Sequence, residues 1–225
     1  MQARGIKNIV YELGADICGI APVDRFENAP DGFHPADIYS DCKSVVVFAK
    51  KLPSGSLKAS SCVPYTHVNN VLTREVDKLG IKISIKLEEN NINAVSLPSD
   101  DPYEYWEPEN KYGRAILSMR HAAYLAGLGK MGKNTLLIND KYGNMIQIGA
   151  VLADIDLQGD DLADYTVCPE GCSVCIDSCP VEALNGRSVN QKKCRPLSNY
   201  ETEKGYILKK CNICRNMCPN KLGIY

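Results

Sequence analysis

The chain has 225 residues, of which 44% are hydrophobic and 24% charged, and 26 basic residues face 27 acidic ones for a net charge of −1. This is the make-up of an ordinary soluble globular chain, long enough for one good core plus a small appendage. No apolar stretch approaches the ~18 residues that a membrane-spanning helix needs.

In chain order, residues 2 to 13 place Ile6, Ile9, Val10 and Leu13 on one helical face, and Gly14 ends that helix. The opening MQARGIKNIVYELGAD has no apolar signal core and no twin-arginine pair, so a cytoplasmic location is expected. Ile17 to Ala21 reads as a short apolar strand, and Pro22 to Asp37 as a loop punctuated by Pro22, Pro30, Gly32 and Pro35. Ser44 to Ala49 is a buried strand rich in β-branched residues. A long helix is expected after Pro64, through Val68, Val71, Leu72, Val76, Leu79, Ile83 and Leu87, ending at Asn90–Asn91. Ile92 to Leu97 is the next strand, stopped by Pro98. An acidic, aromatic loop follows with Tyr103, Tyr105 and the single tryptophan, Trp106. A helix covers about Ser118 to Ala126, and Thr135 to Ile138 and Met145 to Ala153 read as strands with a turn at Tyr142–Gly143. Helices and strands mixed in this way argue for a layered α/β or α+β domain over residues 1–165.

Between that helix and strand, Gly127-Leu128-Gly129-Lys130-Met131-Gly132 satisfies G-x-G-x-x-G. A dinucleotide fingerprint follows a strand and opens a helix. Here the preceding residues are helix formers, so nicotinamide is not expected. A P-loop is excluded because Gly132-Lys133 is followed by Asn134 where Ser or Thr is required. Two readings remain: a glycine loop that lets backbone approach a large flat or anionic ligand, or a plain turn between elements.

Residues 166–225 carry eight of the eleven cysteines. Cys168, Cys172, Cys175 and Cys179-Pro180 form one run; Cys194 stands alone; Cys211, Cys214 and Cys218-Pro219 form a second. A cysteine–proline ending written twice is the half-sequence of a two-cluster ferredoxin, in which the cysteine before the proline ligates the other cluster. On that rule one [4Fe–4S] cluster takes Cys168, Cys172, Cys175 and Cys218, and the second takes Cys179, Cys194, Cys211 and Cys214. The first gap is one residue longer than usual, a bulge that Gly171 can absorb. Structural zinc is the competing use of paired C-x-x-C runs, but it does not need the repeated cysteine–proline ending. A disulfide framework suits short secreted chains. The segment is too small to hold itself together without metal. Of the other three cysteines, Cys18 lies in an apolar run and reads as a small buried hydrophobe.

From Asn185 to Lys221 the charges are mostly positive, Arg187, Lys192, Lys193, Arg195, Lys204, Lys209, Lys210, Arg215 and Lys221 against Glu201 and Glu203. Such a face could steer an acidic electron donor or offset the negative charge of two thiolate-bound clusters.

The block A-G-L-G-K-M-G-K-N-T-L-L-I-N-D-K-Y-G-N, then I-G-A-V-L-A-D-I-D-L and the double cysteine motif, resembles the epoxyqueuosine reductase and reductive dehalogenase superfamily. L-G-A-D-I-C-G-I-A and D-C-K-S-V-V-V-F-A resemble its short cytoplasmic members, so the likeness spans nearly the whole chain. The resemblance implies an α+β protein: a nitroreductase-like α/β/α domain that holds a corrinoid such as cobalamin, followed by a ferredoxin-like two-cluster domain. A flavin is the other cofactor the fold implies. By the same resemblance Gly127, Gly129, Gly132, Lys133, Asn134, Tyr142 and Gly143 line the cofactor pocket. Electrons from a ferredoxin or flavodoxin would pass through the clusters to the corrinoid for reductive cleavage of an unknown small molecule. A non-catalytic carrier that reduces a partner, such as a corrinoid protein, is the alternative.

Two departures bear on substrate. Epoxyqueuosine reductases carry a proton-donating aspartate upstream of the glycine block, and the matching position here falls near Gly113–Arg114. They also usually carry a C-terminal helical-repeat domain that handles tRNA, whereas this chain stops seven residues after Cys218. Action on tRNA is therefore not expected. His121, on the helix leading into the glycine block, is the candidate proton donor if it faces the pocket.

Overall fold

The computed structural model describes residues 1–224. The elements in order are α1 (Ala3–Glu12), β1 (Ile17–Pro22), α2 (Pro35–Ile38), β2 (Ser44–Lys51), α3 (Cys62–Glu88), β3 (Ala94–Leu97), β4 (Tyr105–Glu107) and β5 (Tyr112–Arg114). Then come α4 (Met119–Leu125), β6 (Lys130–Met131), β7 (Leu137–Ile138), β8 (Ile146–Ala153), α5 (Val174–Asp177), α6 (Gln191–Ser198), β9 (Tyr200–Glu201), β10 (Ile207–Leu208) and α7 (Ile213–Asn216).

The centre is a four-stranded sheet in the order β1-β2-β8-β3, with every neighbouring pair antiparallel. β2 and β8 occupy the middle, so both their faces must be covered, and this is why they read as unbroken apolar runs. The two-residue period of a strand then sorts one run between two cores. Val45, Val47 and Ala49 pack with Ala122, Ala123 and Ala126 of α4 and its flank. Val46 and Phe48 pack on the opposite side with Ile6 and Val10 of α1 and Val76, Leu79 and Ile83 of α3. The result is a three-layer α/β/α body, as the resemblance implied. Gly149 of β8 is what lets α3 lie close: a Cβ there would meet the Phe48 ring and Val76 at 2.6 Å.

The long helix starts before Pro64, not after it. Ser61 caps it by accepting from the Val63 amide at 3.2 Å. A proline in the first turn costs nothing, because no intrahelical acceptor is available to that position. The expected strand from Thr135 shrinks to Leu137–Ile138, since Thr135 takes a left-handed φ of 61° and Asn134 Oδ1 accepts from the Leu136 amide. The acidic aromatic loop forms a hairpin, β4 paired with β5. The proline-punctuated loop carries the short α2, capped by the His34 side chain accepting from the Ala36 amide.

The cysteine-rich segment has only one-turn helices, α6 and the two-residue strands β9 and β10, and it leans on the body at three places. Lys209 N–H donates to Thr66 Oγ1 of α3 at 2.9 Å. Gln191 of α6 bridges the backbone of Gly113 on β5, accepting from its N–H at 3.0 Å and donating to its carbonyl at 3.1 Å. The third attachment is the glycine block itself.

Phe48 is 1% exposed and touches both α3 and β8. Phe48→Ala should therefore lower unfolding stability by about 3–5 kcal/mol in a urea titration.

Candidate functional site

The eight clustered cysteines separate into two groups of four. Cys168, Cys172, Cys175 and Cys218 line one tight pocket, with about 10 Å3 of free space, together with Lys133, Asn134 and Pro219. Burial pushes the Cys175 thiol up, and Cys168, Cys218 and Cys172 push it further. Cys214 answers to a different set: burial, then Cys194, raise its thiol to about 11, with Cys211 and Cys179 adding to this and Arg215 opposing. Cys194 is likewise raised by burial and by Cys211 and Cys179. Cys179 and Cys218 have thus each crossed to the set that the other run of sequence supplies. The crossing follows from α5 and α7 packing side by side. Gly171 takes a left-handed φ of 68° in the longer first gap and completes the turn that returns the Cys172 amide to the Pro169 carbonyl.

Among the described residues, no group of three or more His, Cys, Asp or Glu converges so as to hold a single ion. Four thiolates about 2.3 Å from one zinc form a tight set. A cube, with an iron beneath each thiolate, asks for a wider one. Without a metal, burial keeps Cys175, Cys194 and Cys214 as neutral thiols, and binding one would release their protons because the ligand form is the thiolate. Backbone amides approach one sulfur in each group: Lys133 N–H reaches Cys168 Sγ at 3.4 Å, and Ala183 N–H reaches Cys179 Sγ at 3.3 Å.

The glycine block lies against these loops. Lys133 Nζ donates to the Cys172 carbonyl at 2.7 Å, and Asn134 Nδ2 donates to the Cys214 carbonyl at 3.2 Å. Asn144, which is buried, donates to the Arg215 carbonyl, and Arg215 donates back to the Asn144 carbonyl. The glycines serve close approach to the chain's own backbone. A Cβ on Gly127 (φ 74°) would meet the Asp161 carbonyl at 2.1 Å, and one on Gly143 (φ 57°) the Asn220 carbonyl at 2.2 Å. Gly129 abuts Ile138, and Gly132 abuts Ile138 and Asn134. Tyr142 is half-buried beside Lys51 and Lys141. A helix, α4, runs directly into Gly127.

A second, larger cavity of about 930 Å3 lies on the α4 side of the sheet. This is near the top of the range for small-molecule and cofactor sites. Its walls come from three stretches distant in sequence: Arg25 to Phe33, Ser99 to Leu125, and Val189 to Asn199. Cys194 of the second cysteine group is part of the wall. The seven residues expected to line a cofactor pocket, Gly127, Gly129, Gly132, Lys133, Asn134, Tyr142 and Gly143, are not in it. The physical reason is that their close approaches are made to the chain's own backbone and to the cysteine loops. His121 does line the cavity, as does Tyr103. His121 Nδ1 shares a hydrogen bond of 2.8 Å with Ser118 Oγ at the start of α4. Its pKa is lowered by burial within the concavity and by the neighbouring Arg120. The pKa of Arg120 is in turn lowered by burial and by Arg215.

The cavity also holds Arg25, Arg120 and Gln191, which the sequence did not single out, Arg114, met there only as the position matching the family's aspartate, and Arg195, met only in the basic stretch. Arg25 donates to the Leu125 and Asp160 carbonyls at 2.6 and 2.7 Å. Arg195 donates to Tyr103 OH at 2.8 Å and lies over the Tyr103 and Trp106 rings. From the sequence only the acidic, aromatic loop with Tyr103, Tyr105 and Trp106 bore on it.

No protein-family model matches the chain. An epoxyqueuosine reductase of Staphylococcus aureus is 36% identical over 122 residues, which is 48% of this chain and 31% of that protein. One from Lactococcus garvieae is 31% identical over 112 residues, 44% of this chain and 30% of its own. The chain thus matches about a third of the length of these curated relatives. Among solved structures, an epoxyqueuosine reductase from Streptococcus thermophilus superposes with a TM-score of 0.69 at 21% identity, covering 100% of this chain and 67% of that one. A reductive dehalogenase described with B12-dependent dehalogenation gives a TM-score of 0.69 at 20% identity, covering 99% and 32%. Another epoxyqueuosine reductase, solved with an epoxyqueuosine-modified tRNA-Tyr stem loop, gives 0.68 at 19% identity over 97% of this chain and 64% of its own. One protein of this fold therefore does hold a tRNA stem loop, a fact to set against the expectation that tRNA is no partner. No helix among the described residues is long and apolar enough to cross a membrane. The chain is similar in sequence to epoxyqueuosine reductases over about half its length, and it has the fold that they share with reductive dehalogenases.

Proposed function

We propose that this chain is the electron-supplying and cofactor-holding body of a reductive oxidoreductase. Two [4Fe–4S] clusters would sit on the two cysteine groups, and a corrinoid in the 930 Å3 cavity. The observation that carries the reading is Cys194, which belongs to the second cysteine group and also to the cavity wall. An electron held at that group is separated from the cavity by no further layer of protein. The clusters supply single electrons, and a corrinoid supplies a strongly reducing metal. Residues 1–165 form the body and residues 166–225 the electron-carrying part under this reading.

The chain's own residues perform the remaining tasks. Lys133 and Asn134 fix the cysteine loops against the body by their bonds to Cys172 and Cys214. Gln191 and Arg195 hold the hairpin β4–β5 over the cavity and limit water there. His121 is the group placed to pass a proton to a bound molecule. Its lowered pKa leaves it neutral at pH 7, with the proton taken up only as pH falls below 6.5. A step that needs the imidazolium would therefore speed up as pH falls toward His121's titration, and His121→Gln would flatten that dependence.

Four measurements test this. Anaerobically purified protein should be brown and contain about eight irons per chain. Cys218→Ser should remove the same cluster signal in electron paramagnetic resonance as Cys168→Ser, and Cys179→Ser the same signal as Cys214→Ser; a match within each run would disprove the crossed arrangement. Added cobalamin should change its visible spectrum on binding. Clusters that reduce a partner protein, with neither cobalamin nor flavin bound, would favour the carrier role. A resonance titration of His121 by NMR should give a midpoint below 6.5.

A further inference from the structure

The chain carries a net charge of −1, yet the large cavity is walled by Arg25, Arg114, Arg120 and Arg195 against a single aspartate among its lining residues, Asp100. Asp100 lies 3.9 Å from Lys209 and also acts on Arg120, so one carboxylate is shared among several cations. Three of the arginines have structural work. Arg25 and Arg120 donate to main-chain carbonyls, and Arg195 braces Gln191 and Tyr103.

Arg114 differs. Its guanidinium rests among the rings of Phe33, Tyr112 and Tyr105, 5.2, 5.7 and 5.8 Å from their centroids. No hydrogen-bond acceptor or carboxylate among the described residues engages it. Arg114 is exposed, and its contact with the three rings favours one placement of the guanidinium while leaving its forked donors free. The backbone beneath it is fixed as well, since the neighbouring Gly113 is held on both its N–H and its carbonyl by Gln191. A positioned, unpaired guanidinium in a cationic concavity is a receptor for a planar anion, because a carboxylate matches the fork with two parallel charge-assisted bonds.

We propose that Arg114 is a substrate-recognition residue, and that the substrate of this cavity is a small organic anion with a flat body, its carboxylate held by Arg114. The proposal rests on the cavity being the reaction chamber and not on which cofactor fills it. It also gives a chemical meaning to the departure from the epoxyqueuosine reductase pattern at Gly113–Arg114. A side chain that cannot give up a proton at neutral pH stands there, and it serves binding, with the proton left to another group.

The test uses the full chain with its clusters reconstituted, with and without cobalamin. Calorimetric titration with benzoate is compared with benzamide, which has the same shape without the charge, at fixed ionic strength. Wild type should bind benzoate at least about tenfold more tightly than benzamide. Arg114→Gln should bring benzoate down to the benzamide level, while Arg114→Lys keeps part of the preference and iron content stays unchanged in both. Equal binding of benzoate and benzamide, or a preference that survives Arg114→Gln, overturns the proposal. So does a tRNA anticodon stem loop whose binding falls with Arg114→Gln while benzoate shows no preference, because the arginine would then read nucleic-acid phosphate. Failure of the cobalamin titration with the benzoate preference intact removes the corrinoid and leaves the anion site standing; the reverse pattern removes only the anion site.

Discussion

The cysteine-rich segment has almost no core of its own, and the rest of the arrangement follows from that shortage. Past residue 165 the buried apolar side chains are Cys175, Ala183, Leu184 and Cys218, and two of these four are thiols that the cluster reading assigns as ligands. Some sixty residues cannot meet the entropy of ordering from so little burial. They lean on the neighbouring body and, under the proposed function, on metal as well. The body supplies a dense line of polar attachments from Lys133, Asn134 and Asn144, each ending on a main-chain carbonyl of a cysteine loop. Main-chain acceptors are a good choice there. They orient a ligand loop without competing for its thiolates.

The same need explains why glycine recurs in the block after α4. Close contact of backbone with backbone leaves no room for a Cβ, and Gly127, Gly129 and Gly143 each sit where one would overlap a carbonyl of the chain. A glycine-rich sequence says that something comes near. It does not say whether the visitor is a ligand or another stretch of the same chain. That is why the sequence leaves this block open between a ligand loop and a plain turn, while in the structure its glycines meet the chain's own backbone.

Legibility elsewhere also follows physical cause. Strands β2 and β8 were readable because both their faces are buried, which writes a continuous apolar run. Helix α3 was readable from its periodicity, with only its start displaced by a proline that the first turn tolerates. The two cysteine runs stand out in the sequence because ligand chemistry within one turn leaves a fixed short spacing. The hairpin of β4 and β5 was not, since strands of three residues with exposed side chains carry no alternation to detect. The cavity was the least legible of all. It draws on residues near 25, 114, 120 and 195, far apart in sequence, and only the fold makes them neighbours.

The hairpin is attached to the rest mainly through one glutamine and one arginine of α6, and its outer residues touch solvent. The cysteine loops and the glycine block against them have no such latitude. A lineage could therefore alter what enters the cavity by changing Tyr103 to Arg114 while leaving the wiring behind it untouched. Under the proposed function, selectivity and electron supply would sit on separate stretches of chain, free to vary at different rates.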